Sequence, residues 1–154
     1  MAVEIERKFL VRGDGWRKGA GVRIRQGYLN RDKERTVRVR IAGDKAFLTV
    51  KGVSTGASRR EYEYAIPVAD AEELLKICDG AILEKIRRTL DWNGLVWEVD
   101  EFLGANEGLI VAEVELETED QPFERPEWLG AEVTGDPRYF NSNLCAHSYA
   151  SWKR

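Results

Sequence analysis

The chain has 154 residues, 43% hydrophobic and 33% charged, enough apolar material for a real core and too much for a disordered chain. Its 24 Lys and Arg against 27 Asp and Glu leave a net charge of −3, so nothing overall points to nucleic acid or an anionic membrane as partner, and any anion site must be assembled locally. No apolar run approaches a membrane span and the start MAVEIERKF lacks a signal pattern, so a single cytoplasmic domain over 1–154 is expected. Cys78 and Cys145 have no metal-ligand spacing and read as free thiols.

VEIERKFLV (3–11) alternates as a strand, with Val3, Ile5, Arg7, Phe9 and Val11 on one face and Glu4, Glu6, Lys8 and Leu10 on the other. RGDGWRKGAG (12–21) is a glycine-rich loop. VRIRQGYL is the next strand; alternation separates Arg23 and Arg25 from Gln26 and Tyr28 without saying which pair faces inward. After the charged turn NRDKER, TVRVRI (36–41) sets Arg38 and Arg40 opposite Val37, Val39 and Ile41. AGD closes a hairpin into KAFLTVKG, with Thr49 and Lys51 opposite Leu48 and Val50, and RREYEYAI sets Glu61 and Glu63 opposite Tyr62, Tyr64 and Ile66.

PVADAEELLKICDG predicts a helix, with Asp70 as N-cap, Glu73 three residues on, a stripe of Ala71, Leu74, Leu75 and Cys78, and Gly80 as the stop. LEKIRRTL, LVWEVDEF and VAEVELE are three further strands, turning at WNG and GANEG. They place Lys85 and Arg87 against Ile86, Glu98 and Asp100 against Trp97 and Val99, and Glu113, Glu115 and Glu117 against Ala112, Val114 and Leu116. QPFERPEWLGAEVTG is irregular, with room for one helical turn. DPRYFNSNLCAHSYASW predicts a C-terminal helix capped by Asp136 with Pro137 in first position; the sole histidine, His147, falls there and reads as structural.

Eight strands in hairpin order with two helices argue for a mainly β (α+β) antiparallel fold, open or closed. Seven of the strands carry charge at every second position: nine acids (Glu4, Glu6, Glu61, Glu63, Glu98, Asp100, Glu113, Glu115, Glu117) and six bases (Lys8, Arg38, Arg40, Lys51, Lys85, Arg87). If the sheet closes, they line one lumen of a size for one small ligand. That lumen would be about three charges negative, and two divalent cations would bring it to about +1, which suits a polyanion gripped between metal and guanidinium groups. The spaced pairs Glu4/Glu6 and Glu113/Glu115 offer the oxygen ligands Mg²⁺ or Mn²⁺ prefers, while Arg38/Arg40 and Lys85/Arg87 offer a phosphate clamp. A saline outer face on a sheet covered elsewhere by helices is the competing reading.

EIERKFLV contains the pattern ExExK and resembles the signature of the CYTH superfamily, the triphosphate tunnel metalloenzymes. RQGYL, VRVRI, LTVKG, RREYEY, LEKIRRTL, WEVDEF and VAEVELE resemble its later strands in order, so the resemblance spans residues 3–150. It implies an eight-stranded antiparallel closed β-barrel with a few peripheral helices. The implied activity is hydrolysis of inorganic triphosphate to pyrophosphate and orthophosphate with Mg²⁺ or Mn²⁺, two per site. Carried over by motif, Glu4, Glu6, Glu113 and Glu115, with Asp100, would bind metal. Lys8, Arg38, Arg40, Lys51, Lys85 and Arg87 would bind phosphate, and Glu61 and Glu63 would orient those bases or a metal-bound water. Lys8, Arg38, Arg40, Glu61 and Glu63 are thereby the candidate catalytic residues; Glu98 and Glu117 read as ion-pair partners. Class IV adenylyl cyclases and thiamine or nucleoside triphosphatases share this scaffold, and a non-catalytic polyphosphate-binding module is a further alternative. Outer apolar faces that two helices cannot cover lead us to expect a homodimer.

Overall fold

The computed structural model describes residues 3–152; residues 1–2 and 153–154 of the expected domain lie outside the described residues. In chain order the elements are β1 (Val3–Val11), β2 (Val22–Asn30), β3 (Arg35–Ala42), β4 (Lys45–Gly52), β5 (Ser58–Ile66), α1 (Val68–Leu75), β6 (Asp79–Trp92), β7 (Leu95–Phe102), β8 (Ile110–Glu115), β9 (Leu129–Glu132) and α2 (Asn141–Leu144), with three short 3₁₀ turns. Eight strands run β5-β4-β3-β2-β6-β7-β8-β1, and β1 pairs back onto β5 through Val3, Glu4 and Ile5 opposite Arg60, Arg59 and Ser58. This is the expected closed antiparallel barrel. The ninth strand, β9, lies in the stretch expected to be irregular and pairs with Phe9 and Val11 along the edge of β1 that β5 leaves free.

Two further expectations are corrected. The helix starts earlier, with Pro67 as its extended N-cap, and ends at Leu75. Asp70 therefore lies in the first turn, where a negative charge complements the helix dipole rather than capping it. Gly80, expected as the stop, lies in β6 with φ +79°, and a Cβ there would stand 3.1 Å from the Cys145 carbonyl oxygen. The predicted C-terminal helix is a chain of short turns: 3₁₀ Pro137–Tyr139, capped by Asp136 as expected, then α2, then 3₁₀ Tyr149–Ser151. Its Asn and Ser side chains bond to local carbonyls (Asn143 Nδ2 to Pro137 O, Ser151 Oγ to Ser148 O), competing with helix continuation.

The apolar core lies mostly outside the barrel. Phe9, Trp97, Val99, Ala112 and Val114, on the outer faces of β1, β7 and β8, are covered by Trp16 from the 12–21 loop and by Trp128 and Leu129. Trp97 and Trp128 meet edge to face at 5.5 Å, an arrangement worth roughly 0.5–1.5 kcal/mol beyond burial. Arg7 shares this outer face by lying over Phe123 and pairing with Glu132 through two bonds of 2.7 and 2.8 Å. On the other side, Ala71 and Leu75 of α1 cover Val39, Ile41 and Ala46, with Leu74 and Cys78 packed at the margin. A third cluster occupies one end of the lumen: Tyr28, Leu83, Phe102 and Val111 project there, and Tyr139, Leu144 and Cys145 of the C-terminal segment pack onto them.

Candidate active site

Closing the barrel turns alternation into a cavity. Side chains of β1 through β8 surround a space of about 360 Å³. Of the expected lumen groups, Glu4, Glu6, Lys8, Arg38, Arg40, Lys51, Glu61, Glu63, Lys85, Arg87, Glu98, Glu113 and Glu115 all border it. Glu117 does not, because β8 ends at Glu115 and Glu117 is exposed beyond it.

One wall is a carboxylate ladder. In register, Glu6 of β1 stands opposite Glu115 of β8, Lys8 opposite Glu113, and Glu98 of β7 opposite Glu113 from the other side. Burial, followed by the charge of Glu113, pushes Glu6 up to about 8. Burial also raises Glu4 and Glu115, the latter further through Glu4 and Glu98. Glu113 goes the other way: burial would raise it, but Lys8 and Arg87 hold it low. The lysines lean across the ladder, Lys51 Nζ 2.9 Å from Glu4 and Lys8 Nζ 3.9 and 3.8 Å from Glu6 and Glu113.

The opposite wall is basic. Arg38 and Arg40 come from β3, Lys85 and Arg87 from β6, and Tyr28 and Gln26 from the strand between them. Arg23 and Arg25 point outward, to Glu84 and Glu72, which settles the orientation of β2. Arg38 donates to Thr49 Oγ1 at 3.2 Å, and its buried Nε has no partner among the described residues. Burial, with Arg38 and Arg87 nearby, brings Arg40 down to about 9.

Asp100, expected as a metal contact, sits behind this wall at 1% exposure. Arg87 grips both its oxygens at 2.7 and 2.9 Å, and Lys85 Nζ lies 2.7 Å from it. Burial would raise Asp100, but the two cations hold it far below the usual carboxylate range. One carboxylate thus serves two bases, and bidentate Arg87 takes the larger share. Lys85 is brought down by burial to about 7, Asp100 opposing and Arg87 and Arg40 adding to the drop.

The expected charge sum also changes. Asp100 lies behind the wall, Glu117 lies outside, and Arg59 joins the lining, so seven acids face seven bases. Arg59, missed in the sequence, donates to Gly52 O at 2.8 Å and Thr36 Oγ1 at 3.1 Å. Its signal was present: it shares odd parity with Glu61 and Glu63 on β5.

Among the described residues no three His, Cys, Asp or Glu side chains converge as a ready-made metal cage. The donor chemistry nevertheless fits a hard divalent cation. Glu4, Glu6, Glu113 and Glu115 offer only oxygen donors, on two adjacent strands, and burial with the charge of Glu113 lifts Glu6 to about 8. At this wall Lys8 and Lys51 now supply the counter-charge.

Barrel and cavity together define a tunnel with an acidic wall facing a basic one, built for a small, highly charged anion. Residues 2–149 match the CYTH domain, and the chain belongs to that family. It is 54% identical over 155 residues to an inorganic triphosphatase of Acetivibrio thermocellus, covering 99% of each chain. It is 40% identical to an inorganic triphosphatase of Nitrosomonas europaea, over 92% of this chain and 95% of that one. A crystal structure of the inorganic triphosphatase NE1496 superposes with a TM-score of 0.67 at 38% identity, over 94% of this chain and 95% of that one.

Proposed function

We propose that the protein is a metal-dependent inorganic triphosphatase that hydrolyses triphosphate to pyrophosphate and orthophosphate. The observation that carries this reading is that the carboxylate ladder and the bases Arg38, Arg40, Lys85 and Arg87 line one cavity of about 360 Å³, in a chain whose close relatives are named for that activity. Glu4, Glu6, Glu113 and Glu115 would hold two Mg²⁺ or Mn²⁺ ions. When bound, such an ion supplies charge neutralisation and lowers the pKa of a water.

The chain's own residues grip and orient the substrate. Arg38 and Arg40, which border the cavity from β3, bind phosphoryl oxygens. With Glu4, Glu6 and Glu113 holding metal, Lys8 and Lys51, their present partners, would be left to bind the phosphate chain. Lys85 and Arg87, anchored by Asp100, stabilise the transferring group, so Asp100 acts as their holder rather than as a metal ligand. Glu61, in register with Lys51, and Glu63 orient the bases at that end. Water's oxygen ends on orthophosphate, and the bridging oxygen leaves with pyrophosphate.

We further propose one domain acting in the cytoplasm as a homodimer. Exposed Tyr62 and Tyr64 on the outer face of β5 supply apolar surface for a subunit contact, and a strict monomer by light scattering at micromolar concentration would overturn the dimer. Phosphate release with Mg²⁺ or Mn²⁺ tests the activity on triphosphate, ATP and thiamine triphosphate. Orthophosphate plus pyrophosphate from triphosphate is expected. Cyclic AMP from ATP with triphosphate untouched would assign a cyclase, and tight triphosphate binding without turnover a binding module.

A further inference from the structure

Arg40 is half-buried in the tunnel wall and makes no ion pair among the described residues; its Nε donates to Gln26 Oε1 at 2.8 Å. Gln26 is wholly buried, and its Nε2 donates onward to Asn141 Oδ1 at 3.0 Å. The same Asn141 oxygen accepts from Lys85 Nζ at 2.7 Å. Guanidinium and ammonium groups only donate, so the direction of both amides is forced: polarity runs inward from two cations and converges on Asn141 Oδ1. Asn141 borders the cavity, and its Nδ2 makes no hydrogen bond among the described residues.

We infer that Gln26 and Asn141 are positioning residues, a neutral amide relay that holds Arg40 and Lys85 toward the phosphate chain and presents Asn141 Nδ2 to a phosphoryl oxygen. The inference rests on the triphosphatase reading of the tunnel. Neutrality is the point of the device. Arg40 has no counter-charge and Lys85 already shares Asp100; a carboxylate at either position would hold these bases but subtract from the charge that the substrate needs, whereas an amide oxygen orients them and adds no negative charge. The relay also ties the basic wall to the C-terminal segment. Asn141 is carried next to Leu144 and Cys145, which are packed against Leu83, Phe102 and Val111, and the Cys145 carbonyl accepts from Ala81 N at 3.0 Å. Docking of that segment and the pose of two tunnel bases are one structural event.

The test compares Gln26→Met, Asn141→Leu and Asn141→Asp with the wild type. Triphosphate affinity is measured by calorimetry in EDTA, steady-state kinetics with Mg²⁺, and folding by thermal melt. Each variant should lose about ten- to a hundredfold in kcat/KM and bind triphosphate more weakly in EDTA. Asn141→Asp is the discriminating case. It keeps an acceptor for Lys85, so a merely structural duty predicts rescue, whereas the relay predicts a loss at least as large as that of Asn141→Leu. Folded variants within twofold of wild type, or rescue by Asn141→Asp, would overturn the inference. Should the variants not fold, the wild-type Asn141 side-chain amide resonance decides: it should shift on titration with triphosphate, and an unmoved signal at saturation would overturn the relay. Wild-type protein that fails to bind triphosphate would instead overturn the triphosphatase reading itself.

Discussion

The two faces of the same strands do opposite work. On β7, Trp97 and Val99 point outward into a dry cluster, while Glu98 and Asp100 point inward to Arg87. On β3, Val39 and Ile41 lie under α1, while Arg38 and Arg40 face the lumen. Most barrels of this size fill the inside with apolar side chains or enclose one ligand. Here the middle of the lumen is charged, and stability is moved to the outer wall. Residues that hold the fold and residues that line the tunnel are therefore separable by parity, one position apart.

The sharpest way to break that division is at the carboxylate ladder. Glu6→Gln should lower Mg²⁺-dependent triphosphate hydrolysis by about a thousandfold or more, with a melting temperature close to wild type, because burial already lifts the Glu6 carboxyl to about 8 and the amide removes little charge at neutral pH. Near-normal turnover at saturating metal would defeat the metal assignment. Asp100 is the exception that sharpens the comparison, an inward residue with a structural debt. Asp100→Asn leaves Lys85 and Arg87 without their buried counter-charge and should cost about 3–5 kcal/mol in urea unfolding. Because its folded pKa is depressed, this contribution is present above the unfolded value of about 3.9 and is lost as pH falls below it, so the two proteins should converge in stability in acid.

On the outer wall, Leu75→Ala should cost about 2–5 kcal/mol by opening a cavity under α1, while activity per folded molecule stays within twofold. A large fall in that specific activity would mean the faces are coupled. The smallest effect is a fraction of a proton. Burial lowers Lys85 to about 7 against the pull of Asp100, and a bound polyanion raises it. Triphosphate binding in EDTA at pH 8 should therefore take up protons, read as a buffer-dependent calorimetric enthalpy; net release would contradict the electrostatics of the basic wall.

Much of this division is legible in the sequence, because a two-residue period survives any uncertainty about which strands pair. Glu4, Glu6, Arg38, Arg40, Lys51, Lys85, Arg87 and Glu113 reach the lumen on parity alone. What escaped depends on long-range geometry. β2 is polar on both faces and its register shifts between Gln26 and Tyr28, so alternation leaves its orientation open. LGAE becomes a strand only because β1 offers it a free edge. Asp100 has the parity of a metal ligand, but its partners Arg87 and Lys85 are visible only once β6 and β7 are in register. Asn141 comes from a segment with no period at all.

The divided edge of β1 has an evolutionary reading. β5 holds residues 3–5, β9 pairs with Phe9 and Val11, and between them Glu6 N donates to Ala57 O at 3.1 Å and Lys8 N to Thr134 Oγ1 at 2.9 Å. Clamped at both ends, this strand cannot absorb an insertion or deletion by sliding, since a one-residue slip would turn Glu4, Glu6 and Lys8 outward and bring Ile5 and Arg7 into the tunnel. The connection around exposed Asp120 pairs with no strand: Ala57 N donates to Glu119 Oε1 at 2.8 Å and Glu117 N to Gln121 Oε1 at 2.7 Å, contacts that set no register. Over descent, length should be frozen across residues 3–11 and drift near Asp120, so the strand that carries Glu4, Glu6 and Lys8 into the lumen should be the part of the chain that tolerates no change of spacing.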